Sequence, residues 1–171
     1  DYHLDDGRDG QQLLEELRQQ RLISLSTVYM VVTAERGYHN VVSVAELAPD
    51  DYLIKPFTAD QLQSRLVKAL YKKKYFERVF RHLDNGAFND ALAACEALIG
   101  KDDQFLYDTL RFKGEILNAL GRYEEAKAVY QQVLDNAMVP WARMGLAIAL
   151  RGMDALAEAE MIGTSIIDDF P

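Results

Sequence analysis

Carboxylates gather at the start of the chain, where Asp1, Asp5, Asp6 and Asp9 are interleaved with Gly7 and Gly10. Oxygen ligands in that pattern could hold calcium, but a calcium loop needs a bidentate acid at its twelfth position. The twelfth residue counted from Asp1 is Gln12, so this chemistry fails. Zinc fares no better, because His3, His39 and His82 are scattered and none has a cysteine or histidine at ligand spacing. Cys95 is the only cysteine; it excludes an internal disulfide, fits a reducing compartment and reads as a small buried hydrophobe. A hydroxyl and an amine remain, each closing an apolar run. The run from Val28 to Ala34 reads as a buried strand ending in Thr33, and the run from Asp50 to Phe57 as a strand ending in Lys55, Pro56 and Phe57.

The elements that would carry these groups follow from composition and periodicity. With 171 residues the chain has room for one large domain or two small ones, and 49% hydrophobic content supports folded structure. The net charge of -8 is shared evenly: 7 basic and 11 acidic residues lie up to Leu70, and 12 and 16 beyond it. Neither half is a basic nucleic-acid-binding domain. No apolar run approaches the ~20 residues that span a bilayer. Thr58 reads as the N-cap of a helix with apolar positions at Leu62, Leu66, Ala69 and Leu70. The helical pattern continues through Phe76, Val79, Phe80 and Leu83, which predicts one helix of about 27 residues, or about 40 Å. Lys72, Lys73 and Lys74 in its middle are expected to be a solvated stretch.

Beyond this helix one phrase occurs three times, as Gly86, Phe88 and Ala91, as Gly121, Tyr123 and Ala126, and as Gly152, Asp154 and Ala157. Gly belongs in a tight turn, the second residue at a helix start, and Ala in the following helix. The spacings are 35 and 31 residues. The pattern resembles the tetratricopeptide repeat, a helix-turn-helix unit of about 34 residues. Gly114 and Gly145 fall at the small position of the first helix, Trp141 at its large aromatic position and Tyr130 at the aromatic of the second. Val79 and Asp154 depart from the pattern, as terminal repeats often do. Such arrays bind other proteins, and further repeats are expected after Pro171.

The first part of the chain resembles a two-component receiver domain: Thr33 and Lys55, 22 residues apart, end two strands in the right order behind the acidic loop at Asp1. The resemblance implies an α/β fold, the carboxyl-terminal part of a flavodoxin-like doubly wound sheet over 1–70, followed by an all-α right-handed solenoid of about three repeats over 71–171. It implies that the first two strands, and the acidic pair that helps to hold magnesium, precede Asp1. Asp1 becomes the phosphoacceptor, Thr33 and Lys55 the groups that bind the phosphoryl oxygens, and Tyr52 the switch aromatic. The Lys55–Pro56 bond is expected to be cis, and the His3 carbonyl to be a magnesium ligand. Magnesium is expected for an intact receiver and not for the residues present. The function so implied is that of a cytoplasmic response regulator, not an enzyme acting on an external substrate. A histidine kinase or phosphotransfer protein would supply the phosphoryl group, and the repeats would relay the signal to a protein partner. Neither nucleic acid nor membrane is expected as a partner, and a homodimer is compatible with the resemblance. The alternative is a pseudo-receiver scaffold whose repeats bind partners constitutively.

Overall fold

The computed structural model describes residues 10–34 and 49–169. Two compact units divide between Asn85 and Gly86. In the first, helix α1 (Gly10–Gln19) leads to strand β1 (Met30–Thr33), and strand β2 (Asp51–Ile54) leads to helices α2 (Ala59–Tyr75) and α3 (Glu77–Asp84). The strands pair parallel, with Met30 opposite Asp51 and Thr33 opposite Ile54. Backbone bonds extend the ladder at both ends, from Asp50 N–H to the Tyr29 carbonyl at 2.8 Å and from Lys55 N–H to the Thr33 carbonyl at 2.7 Å.

The expected fragment of a doubly wound α/β sheet is corrected here. The described residues are predominantly helical and contain only two four-residue strands, which form a two-stranded sheet. Buried parallel sheets are covered on both faces and read as continuous apolar runs. The most buried positions are Val31 and Thr33 on β1 and Leu53 on β2. Leu53 pairs with Val32 and so points to the face opposite Val31 and Thr33, and the pair is too short and too narrow to be the central sheet of a doubly wound fold.

Helix α2 starts at a capping box: the Thr58 hydroxyl accepts from Gln61 N–H at 3.2 Å, and the Gln61 side chain accepts from Thr58 N–H at 2.8 Å. The predicted single helix through residue 85 breaks at Phe76. Neither Pro nor Gly marks the break. It coincides with the fully buried Phe76 ring, which packs edge-on against Tyr75 at 5.0 Å and tilted against Phe80 at 6.1 Å. The middle lysine of the basic run is also not solvated. Lys73 is buried, pairs with Asp50 at 2.8 Å and donates to the Leu25 carbonyl at 2.7 Å. Asp84 accepts from Leu25 N–H at 3.1 Å. These bonds tie residues 71–84 into the first unit, which is why the division falls at 85 and not at Leu70.

The second unit is all helix apart from turns and a short 3₁₀ segment, Asp103–Phe105. It runs α4 (Phe88–Glu96), α5 (Leu106–Ala119), α6 (Tyr123–Leu134), α7 (Pro140–Gly152) and α8 (Leu156–Asp169). Each helix packs against the next, and α5 also packs against α7. The reason is visible at Tyr130, a fully buried ring on α6 that lies where a Cβ on either Gly114 or Gly145 would have to be. Bare glycine backbone on α5 and α7 therefore lets one aromatic ring fit between two helices.

The third turn differs from its sequence register. At Gly121, φ is +71°, and Arg122 N–H returns to the Leu117 carbonyl at 2.9 Å. The same closure occurs at Asp154, φ +63°, where Ala155 N–H returns to the Leu150 carbonyl at 2.9 Å. Asp154, not Gly152, is thus the counterpart of Gly86 and Gly121, and the spacings become 35 and 33 residues. Gly152 lies in the last turn of α7, its small size required by the Tyr123 ring. The shift explains why Ala91 and Ala126 are buried and Ala157 is exposed.

Candidate functional site

The strand pair brings Thr33 and Lys55 together. Their backbones are bonded directly, the Thr33 side chain is buried, and Lys55 is exposed immediately beyond β2. The Lys55–Pro56 peptide is cis. Tyr52 is half-buried within β2, opposite Val31. A lysine can bind an anion as a point charge and a threonine hydroxyl as a neutral donor; here the two residues are joined by the backbone bond from Lys55 N–H to the Thr33 carbonyl. Asp1 and His3, the expected phosphoacceptor and carbonyl ligand, lie outside the described residues, as does the acidic loop between them and α1.

Among the described residues, no group of three or more His, Cys, Asp or Glu side chains could hold a metal ion. The two acids on the β2 side of Lys55, Asp50 and Asp51, are engaged elsewhere. Asp51 Oδ1 accepts from Arg65 Nη1 at 2.6 Å and from Tyr52 N–H at 2.8 Å, while Asp50 accepts from Tyr29 N–H and pairs with Lys73.

In the helical unit, Trp141 is half-buried and meets Tyr130 at 6.4 Å in an edge arrangement. The Arg111 guanidinium stands 5.8 Å from the Trp141 ring centroid and donates to Glu115 at 2.8 Å. Sequence reasoning missed Asn118, whose amide donates to the Gly145 carbonyl at 3.0 Å and so bonds α5 to α7. Only its position four residues after Gly114, on the same helix face, could have marked it. Cys95 is fully buried, and desolvation pushes its thiol up to about 12. That excludes a thiolate near neutral pH. Exposed apolar side chains include Phe88, Tyr107, Met138, Leu156 and Met161.

With this geometry in place, comparison with known proteins adds a distant likeness. The chain is 24% identical over 163 residues to the response regulator ArlR of Staphylococcus aureus strains MW2, USA300 and COL, covering 85% of this chain and 71% of the relative. No family model matches the chain. No solved structure matches it. Among the described residues, no helix is long and apolar enough to cross a membrane.

Proposed function

We propose that the protein works in two-component signalling as a cytoplasmic response regulator. It takes a phosphoryl group on Asp1 from a histidine kinase or phosphotransfer protein and passes the signal to its helical unit, a tetratricopeptide-like module that binds a protein partner. The observation that carries this reading is the pairing of Thr33 with Lys55 at the ends of two parallel strands. The likeness to a response regulator points the same way.

An acyl phosphate on a carboxylate is labile enough to serve as a reversible signal. Lys55 would neutralise the added charge, and Thr33 would donate its hydroxyl hydrogen to a phosphoryl oxygen. Both residues are joined through the backbone of a short ladder, so a pull on one is felt along β1 and β2. The helical unit supplies apolar and aromatic surface for a partner. No turnover of an external substrate is assigned to either unit.

The test is the intact mass of the full-length protein after incubation with magnesium and acetyl phosphate, with Asp1→Asn as control. A phosphoryl mass gain that disappears in the variant supports the reading. No gain in either protein overturns it and leaves a scaffold that binds partners without a signal.

A further inference from the structure

A charged cluster at the other end of the strand pair is not used by the phosphoryl chemistry. Lys73 Nζ lies 2.8 Å from Asp50 Oδ1, donates to the Leu25 carbonyl at 2.7 Å and stands 4.9 Å from the Phe80 ring centroid. The other Asp50 oxygen, Oδ2, accepts from Tyr29 N–H at 2.8 Å. Arg18, on α1, enters the same cluster. Asp50 and Asp84 both favour its charge, while Arg18 and Lys73 repel one another. Its Nε is buried and has no hydrogen-bond acceptor among the described residues.

Two partly desolvated cations therefore both draw on Asp50, with Asp84 as a second acid acting on Arg18. Burying a charge without a partner is costly, so the cation that holds Asp50 is stabilised at the expense of the other. What the competition controls is α3. This helix has eight residues, too few to persist without packing. Lys73, in the last turn of α2, reaches it through Phe80. The Leu25 peptide group joins the two helices, because its carbonyl accepts from Lys73 and its N–H donates to Asp84 at the end of α3.

We propose that Asp50 is a shared counter-ion, and that its choice between Lys73 and Arg18 switches the docking of α3. Paired with Lys73, as in the structure, Asp50 fixes the end of α2 and the Leu25 peptide, and α3 is held. Paired with Arg18, Asp50 draws towards α1, Lys73 leaves the cluster and α3 loosens. The device does not depend on the phosphoryl reading, and its test uses no phosphodonor.

The experiment is native-state hydrogen exchange of the full protein, followed in residues 77–84, for the unaltered chain, Lys73→Met and Arg18→Met. A shared counter-ion makes the two substitutions act in opposite directions. Lys73→Met should speed exchange in α3 and Arg18→Met should slow it, each by about fivefold or more. A cluster that only stabilises the fold loosens under both. Faster or unchanged exchange in Arg18→Met, its failure to fold, or unchanged exchange in Lys73→Met overturns the proposal. A second measurement needs no variant: acetic anhydride should label Lys73 at least about tenfold more slowly than exposed Lys68 and Lys74, since reaction requires local opening. Equal labelling rates overturn the proposal.

Discussion

Tyr130 shows how single residues hold the helical unit together. Its ring occupies the space that a side chain on Gly114 or Gly145 would need, and Asn118 closes the same contact by donating to the Gly145 carbonyl. Gly145→Ala should therefore destabilise the protein by about 1–3 kcal/mol, because the ring cannot move without opening the contact on α5. Urea unfolding of the variant checks this, and a loss that Tyr130→Leu partly restores would identify the clash as the cause. In the first unit, Asp50 is the residue whose loss matters most, since Lys73 is buried and nine-tenths hidden from water. Asp50→Ala should cost about 3 kcal/mol by leaving a desolvated ammonium unpaired. Denaturation of Asp50→Ala in a Lys73→Met background should show a much smaller loss than in the unaltered chain.

At the scale of elements, helix ends carry the information. The Thr58 capping box satisfies two backbone donors at the start of α2, a helix with few buried residues and little packing to stabilise it otherwise. Thr58→Ala should weaken the first unit by about 1 kcal/mol, seen as faster amide exchange in the first turn of α2. The turn before α8 offers the opposite case. Asp154 holds a left-handed backbone conformation that glycine adopts without the steric penalty of a Cβ. Asp154→Gly should raise stability by up to about 1 kcal/mol, and a lower melting temperature in that variant would argue against the turn register described above. The break at Phe76 belongs to this scale too: α2 and α3 are separated at a single residue whose ring is fully buried.

For the whole molecule, the helical unit has its own buried core, with Cys95 in it, and the thiol makes stability depend on pH. The unfolded chain loses the Cys95 proton near 9.0, whereas the folded protein keeps it up to about 12. Between those values the folded state binds more protons, so stability falls as pH rises, by at most about 1.4 kcal/mol per pH unit. Denaturant unfolding at pH 8 and pH 10, compared with Cys95→Ala, should show a slope that the variant lacks. An equal slope in both proteins would place the dependence on other groups.

Much of this protein was legible in its sequence. The small positions Gly114 and Gly145, the aromatic Tyr130 and the pairing of Thr33 with Lys55 are implied by the resemblances to a helical repeat and a receiver, whereas the Thr58 cap and the turn glycines Gly86 and Gly121 follow from turn chemistry and periodicity. Their physical causes act over a few residues or along one strand. The two short strands in place of a doubly wound sheet, the helix break at Phe76, the burial of Lys73 and the register of the Asp154 turn did not follow. Three charged side chains illustrate why: Lys72, Lys73 and Lys74 are chemically identical in the sequence, and only Lys73 meets Asp50 and the Leu25 carbonyl. Those partners lie far away along the chain, and the cost of desolvating an ammonium depends on what surrounds it in space. Local sequence specifies where a helix can start and which face is apolar. Whether a charge is solvated or shared is settled when distant segments pack.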